Sequence, residues 1–165
     1  MNRIVWLLLL IVTPTALACN FHQDRGRLFV PNYPAIMLTL PSIIEASESN
    51  EITQIQKPHA MINWLLSQKL NSTMPVEPFT FYQVVEGHYS SVTGHSSGWL
   101  SQYQGENKPK LGDLMILSEL SVFNALLEQQ ITIEQAFDQK WITINGPKAQ
   151  RQAVKTWLTQ AFNQS

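Results

Sequence analysis

Histidine and serine side chains are concentrated between residues 88 and 98, where their types could support metal binding or hydrolysis. His88 and His95 lie seven positions apart around a serine-rich turn, and His22 and His59 are the other two histidines of the chain. A zinc or copper site needs about three or four converging ligands, and no acidic or sulfur side chain stands here at ligand spacing. The sequence therefore favours surface or strand-end histidines, and it predicts no metal and no other cofactor.

The same segment contains the serines that a hydrolase would need. Residues 94–98 have the sequence Gly-His-Ser-Ser-Gly, which is superficially similar to the nucleophile turn of serine hydrolases. A turn of glycine and serine between two strands is the ordinary interpretation. Four of the twelve acidic residues of the chain, Glu77, Glu86, Asp113 and Glu119, are scattered and do not form a pair. Because nucleophile, base and orienting group cannot be named together, the sequence predicts that the chain is not an enzyme.

The composition is typical of one globular domain with an apolar core. Of the 165 residues, 44% are hydrophobic and 14% are charged, which argues against a disordered chain. The formal net charge of −1 gives no electrostatic reason to expect nucleic acid as a partner. The chain also has no glycine-rich loop of the kind that holds phosphates.

Residues 1–18 have the layout of a signal peptide. Arg3 provides the basic start, residues 4–12 form the apolar segment, and residues 16–18, Ala-Leu-Ala, form a small-residue cleavage site. The apolar run is short for a membrane span, and its brevity is typical of bacterial export signals. We therefore expect a periplasmic or envelope-associated protein whose mature chain begins at Cys19.

Cys19 is the only cysteine of the chain, and three interpretations of it stay open. Its thiol could carry a lipid anchor, although the preceding Ala-Leu-Ala is a poor lipoprotein signal. It could bind a metal together with His22 through the Cys-x-x-His spacing, although two ligands alone do not define a site. It could also be a free thiol, which in an oxidising compartment would be able to form an intermolecular disulfide.

The last fifty residues specify their own secondary structure most clearly. Residues 114–117 form a short apolar run that suits a buried strand, and Ser118 is predicted to cap the helix after it. Residues 132–135, Thr-Ile-Glu-Gln, have the spacing of a capping box that starts a second short helix. Residues 141–144 alternate like a strand, and a long amphipathic helix is predicted to begin after Pro147.

This order of elements resembles the C-terminal part of the sterol carrier protein 2 (SCP2) family. That family shows an acidic residue entering a strand, a Ser or Thr, a helix ending in two leucines, an Ala-Phe segment, a strand closed by glycine, and a last helix. The matching residues are Asp113, Ser118, Leu126-Leu127, Ala136-Phe137, residues 142–144 and Gly146. Two family glycines are replaced, one by residues 128–130 and one by Lys140. We therefore expect the turns there to form without a residue that freely adopts positive φ.

The resemblance implies an SCP2-like α+β domain over residues 58–165, in which an antiparallel sheet of about five strands is covered by helices. An N-terminal arm and helix, residues 19–57, precede the sheet, and Pro41 is expected to kink or split that helix. The clearest strand of the sheet is predicted over residues 79–86, with a bulge at Gly87.

The SCP2 family is known for a tunnel between sheet and helices that accepts sterols, fatty acids or other lipids. Carried over by position, the residues that could line such a space are Phe79, Phe81, Val85, Trp99, Leu117, Phe123, Leu127 and Trp141. The alternative is a filled core, because large preformed pockets are few per protein. Stripes of aromatic residues and leucine at these spacings also occur in ordinary cores.

Two functions of different classes follow. The first is an exported, non-enzymatic binding protein that holds an apolar or amphipathic, lipid-like small molecule between sheet and helices. The second is an accessory subunit with no ligand of its own, which docks through its arm and first helices on an inner-membrane protein complex. The first predicts an open cavity, whereas the second predicts an exposed apolar patch within residues 21–44.

Overall fold

The computed structural model describes residues 34–70, 77–95, 98–103 and 109–163, without the side chains of residues 95 and 98–103. The predicted signal peptide, the arm, Cys19 and His22 therefore lie outside the described residues. The elements in chain order are α1 (Ile36–Glu48), α2 (His59–Leu70), β1 (Phe79–Gln83), β2 (His88–His95), β3 (Gly98–Tyr103), β4 (Met115–Ser118), α3 (Leu120–Leu127), α4 (Ile133–Asp138), β5 (Thr143–Asn145) and α5 (Lys148–Asn163). Helices combined with one sheet confirm the predicted α+β class. Within the described ranges, no helix has both the length and the apolar character that a membrane span requires.

The strands form a mixed sheet in the order β3-β2-β1-β4-β5. The neighbours β1 and β2, β2 and β3, and β4 and β5 are antiparallel, but β1 and β4 are parallel, with Phe81 opposite Ile116. The prediction of a wholly antiparallel sheet is therefore wrong at its centre. All four residues of β4 are buried, as expected for a parallel strand that is covered on both faces.

One face of the sheet packs against α3 and α5. Phe79 of β1 contacts Trp157 of α5 edge-on, with ring centroids 5.8 Å apart. Phe81, two residues further on the same face, contacts Phe123 of α3 edge-on, with centroids 5.4 Å apart. The period of two along β1 therefore directs both phenylalanines toward the same helical layer.

Helix α1 lies on the opposite face. Thr39 Oγ1 donates a hydrogen bond of 2.7 Å to Thr143 Oγ1 of β5. Thr143 is paired with Leu117 of β4, so both side chains point away from the face that carries Phe81. Because α1 also buries Ile43 in the common core, the sheet is covered by helices on both sides.

Pro41 does not split α1, which runs continuously from Ile36 to Glu48. A proline in a helix removes the hydrogen bond to the carbonyl four residues earlier, here that of Met37. Pro41 is exposed and the Met37 side chain is 65% exposed, so water can replace the missing donor. Of the two expected outcomes, a kink or a split, the split does not occur, because the proline is exposed to solvent.

The two short helices begin differently. Thr132 Oγ1 accepts a hydrogen bond of 3.1 Å from the amide of Gln135, which confirms the predicted cap of α4. The prediction that Ser118 caps α3 is wrong. Ser118 is the last residue of β4, and Glu119 occupies the cap position. The Ser118 hydroxyl instead donates a 2.8 Å hydrogen bond to the carbonyl of Trp141, and it ties β4 to the segment before β5.

The turns that follow α3 and α4 both adopt left-handed backbone conformations. Gln129 has φ 56° and Lys140 has φ 63°, so each turn is formed, as expected, without glycine, by a residue that adopts positive φ less readily. At the end of α3, the amide of Gln129 donates to the carbonyl of Leu126 (3.1 Å) and the amide of Gln130 donates to that of Ala125 (2.9 Å). This pair of bonds is the Schellman arrangement, in which glycine usually takes the left-handed position.

Candidate functional site

A cavity of about 270 Å³ lies between α2, α5 and the face of the sheet that carries Phe79 and Phe81. Its floor is the sheet itself. Val92 of β2 is paired with Phe79, and Ile116 of β4 is paired with Phe81. Directly paired residues point to the same face, so these four buried side chains form one continuous apolar surface.

Two further helices form the walls. Trp157 and Leu158 of α5 both line the cavity, and they are 4% and 0% exposed. Phe123 of α3 closes the side next to Phe81. Because Trp157 also contacts Phe79, the walls are fixed to the floor by aromatic contacts on two sides.

Helix α2 forms the roof and contains the polar rim. Asn63, Leu66, Ser67 and Leu70 line the cavity at the spacing i, i+3, i+4 and i+7, which is one face of a helix. Trp64 also borders the cavity and is 59% exposed. The interior is thus apolar, and the rim offers an amide and a hydroxyl. An amphipathic ligand fits this distribution better than a charged one.

Three of the eight predicted lining residues lie in this cavity: Phe79, Phe81 and Phe123. Trp99 belongs to β3, but its side chain is outside the description. The structure therefore brings three of the predicted aromatic rings together, two from β1 and one from α3.

Val85 and Leu117 were wrongly placed in the lining. β1 ends at Gln83, and residues 84–87 form a turn in which the amide of Gly87, with φ 69°, donates to the Gln83 carbonyl. Val85 is therefore in a turn and is 46% exposed. Leu117 is fully buried but is paired with Tyr82, on the sheet face opposite the cavity.

Leu127 and Trp141 were also wrongly placed in the lining. Leu127 is the last residue of α3 and packs, partly buried, against the core. Trp141 is 3% exposed and precedes β5, where its carbonyl accepts the hydrogen bond from Ser118. Both side chains are part of the packed core and do not border the cavity.

The prediction missed most of the roof and walls. Trp157 and Leu158 lie in the amphipathic helix that is predicted after Pro147, and Ile116 lies in a predicted buried strand, so the sequence indicated that they could be buried. Asn63 and Ser67 are polar and carry no such signal. Only the packing of α2 across the sheet shows that they border the cavity.

Glu119 is a buried carboxyl that directly precedes α3, the helix that contributes Phe123 to the cavity. It lies one helical turn before Phe123, and it is 7% exposed. Burial raises its pKa from 4.5 to about 7, and a 2.8 Å hydrogen bond from the Val85 amide to Oε2 partly offsets that shift. Glu119 is not among the described residues that line the cavity.

The two histidines of β2 do not form a site together. His88 and His95 are the first and last residues of that strand, so their Cα atoms are roughly 23 Å apart at the usual rise per residue. Within the described ranges, no three His, Cys, Asp or Glu side chains converge as metal ligands. The segment 94–98 joins two antiparallel strands, with His95 paired with Gly98. The nucleophile turn of a serine hydrolase lies between a strand and a helix. The segment between β2 and β3 therefore does not have the structural context of such a turn.

Comparison of the chain with protein-family models and with curated proteins found no match.

Proposed function

We propose that this chain is an exported, non-enzymatic binding protein that holds an apolar or amphipathic small molecule in the cavity beneath α2. The observation that carries the proposal is the 270 Å³ space lined almost entirely by aromatic and aliphatic side chains. Protein interiors contain few voids larger than a water molecule, and an engineered apolar cavity of about 150 Å³ already accepts benzene. A two-ring compound or a short acyl segment therefore has room here.

The rim supports an amphipathic ligand. Among the described residues that border the cavity, the side chains of Asn63 and Ser67 are polar, and both belong to α2. Ser67 Oγ donates a hydrogen bond of 2.7 Å to the Trp64 carbonyl. Its oxygen can still accept a hydrogen bond from a ligand. A ligand with an apolar body and a hydroxyl or amine end would place that end at this rim.

Access to the cavity is proposed to be through α2. Of its twelve residues, only Ile62 and Leu70 are buried, and Trp64 and Met61 are exposed by 59% and 46%. Elements with few buried apolar contacts open at lower free energy than the rest of a domain. Displacement of α2 would uncover the floor without breaking the sheet.

The SCP2-like fold is part of this proposal. The order of strand, two helices, strand and long helix after Asp113 supports it. So do the left-handed conformations of Gln129 and Lys140, which occupy the positions where the family has glycine. Gly146, with φ 124°, closes β5 as the resemblance requires. The proposed periplasmic or envelope location depends on the signal-peptide pattern of residues 1–18.

A second candidate function is an accessory subunit that docks on a membrane-associated protein. One observation favours it: Met37, Leu38 and Ile44 of α1 are 65%, 59% and 43% exposed. They lie on the helix that covers the face opposite the cavity. A membrane-protein partner that copurifies with the chain, and whose binding does not depend on the cavity, would favour this function over the first.

Replacing Val92 by phenylalanine tests whether the cavity is open and used. Val92 is 8% exposed and lies on the floor, so a phenyl ring added there would occupy the space. We expect binding of 2-naphthol, an amphipathic two-ring probe measured by fluorescence titration, to weaken by at least about tenfold, which is 1.4 kcal/mol. The free energy of unfolding should change by less than about 1 kcal/mol, because the ring enters empty space.

The control is the same substitution at Val85, which is 46% exposed in a turn and should leave 2-naphthol binding unchanged. If Val92→Phe instead destabilises the fold by about 1–3 kcal/mol, as overpacking of a filled core does, the cavity is not open. Unchanged 2-naphthol binding in Val92→Phe would also reject this site.

A further inference from the structure

A second pocket, of about 420 Å³, lies between the end of α4, β5 and one side of α5. We propose that this basic pocket binds the phosphate group of an amphipathic phosphate ester, of which a phospholipid headgroup is the simplest example. Among the described residues, it has no lining residue in common with the apolar cavity. The proposal therefore does not depend on the proposed function, and either can fail alone.

Positive charge is the main property of the basic pocket. Lys140, Lys148, Arg151 and Lys155 line it, which is four of the eleven Lys and Arg residues in the chain. The last three recur along α5 at i, i+3 and i+7, so they share one face of that helix. Lys140 joins them from the left-handed turn after α4. A chain of net charge −1 thus concentrates a local charge of about +4 on one surface.

No carboxylate neutralises these cations within the part of the chain that the structure describes. No Asp or Glu is among the described lining residues, and the salt bridges of Lys57 with Glu128 and of His88 with Glu86 include none of the pocket cations. Lys155 Nζ lies over the Phe137 ring, 5.0 Å from its centroid. Cations held near one another without counter-charge repel, so an anion that enters the pocket is stabilised by all of them.

The pocket fits a phosphate ester better than a simple anion. A guanidinium fork and three ammonium groups match the several oxygens of a phosphate group. Lys148 is the first residue of α5, so the positive end of the helix dipole adds to the attraction. Phe137, Ile142 and Ile144 also line the pocket, and this apolar side suits the carbon portion of an ester.

The test compares two double variants that remove the same charge. Lys148→Gln with Arg151→Gln removes two pocket cations, both of which are exposed, so the fold should be retained and can be checked by thermal unfolding. Lys57→Gln with Lys110→Gln removes two cations outside the pocket. Binding is measured to phosphatidylcholine vesicles with and without phosphatidylglycerol, to monomeric short-chain phosphatidylglycerol, and to inorganic phosphate.

We expect the wild-type chain to bind the vesicles that contain phosphatidylglycerol, with an affinity that falls as salt is added. The pocket variant should bind them on the order of 25-fold more weakly, since each basic residue near an anionic surface contributes about 1 kcal/mol. The affinity of the control variant should stay within about fivefold of the wild-type affinity, because about 1 kcal/mol, the contribution of one such residue, corresponds to about fivefold. Binding of the short-chain lipid should follow the same order.

The probes also distinguish the two sources of the phosphate group. Binding of lipid without measurable binding of inorganic phosphate assigns the pocket to a headgroup. Binding of inorganic phosphate that the pocket variant loses assigns it to a soluble phosphate compound, and either result supports the site. Equal losses in the two double variants would show that only overall charge matters and would overturn the proposal, as would a wild-type chain that binds neither lipid nor phosphate.

Discussion

Replacing Trp157 by alanine is expected to lower the free energy of unfolding by about 3–5 kcal/mol. The indole is 4% exposed, borders the cavity and contacts Phe79 edge-on at 5.8 Å. Its removal both loses the apolar area that α5 buries against the sheet and enlarges a space that is already empty, so the surroundings cannot compensate. Urea unfolding followed by circular dichroism measures the change.

The matched control is Trp64→Ala, because Trp64 borders the same cavity from α2 but is 59% exposed. An exposed side chain away from caps and networks usually changes stability by less than about 0.5 kcal/mol. We therefore expect the loss in the free energy of unfolding to be several-fold larger for Trp157→Ala than for Trp64→Ala. Equal effects, or a loss below about 1 kcal/mol at Trp157, would mean that α5 does not hold the wall of the cavity.

Replacing Glu119 by glutamine is expected to make the protein more stable than wild type at pH values above 7. Burial raises the pKa of this carboxyl from 4.5 to about 7 in the folded chain. Because the folded pKa is the higher one, the protonated carboxyl favours the folded state. That contribution is complete below pH 4.5 and is lost as the pH rises through about 7. The difference between the two pKa values corresponds to about 3 kcal/mol in the free energy of unfolding.

Glutamine keeps the oxygen that accepts the 2.8 Å hydrogen bond from the Val85 amide and removes the buried charge. The variant should gain up to about 3 kcal/mol over wild type in the alkaline range and should match it in acid, where Glu119 is neutral. Urea unfolding at several pH values measures this difference.

The control for this prediction is Glu134→Gln. The pKa of exposed Glu134 is lowered by its hydrogen bond with Asn163, so its contribution to stability is lost only as the pH falls into the acid range. It should leave the slope of stability around pH 7 unchanged. A wild-type stability that does not decline through this range would contradict the raised pKa of Glu119.

The parts of the fold that depend on local interactions could be predicted from the sequence. The cap at Thr132 needs only its own backbone and the amide of Gln135, and the stripe on α5 that contains Trp157 and Leu158 is fixed by helical spacing. The buried strand around Ile116 was equally clear, because the apolar run of residues 114–117 is long enough for a buried strand and too short for a helix.

The parts that depend on distant partners could not be predicted in the same way. An apolar run does not indicate which strand it will pair with, so the parallel pairing of β4 with β1 was not predicted. Val85 was misplaced because β1 ends at Gln83 and the chain turns at residues 84–87, so the alternation of side chains along the strand does not continue to residue 85. Asn63 and Ser67 could not be identified, because a polar rim is defined only by what α2 covers.

The most direct test of the account is a methyl NMR titration of the protein with 2-naphthol. The account predicts saturable shift changes confined to the methyl groups of Leu66, Leu70, Val92, Ile116 and Leu158, which line the cavity, and no such changes in Val92→Phe. Shifts that fall instead on the exposed methyl groups of α1, or no shifts at all in the cavity residues, would contradict an apolar binding site beneath α2.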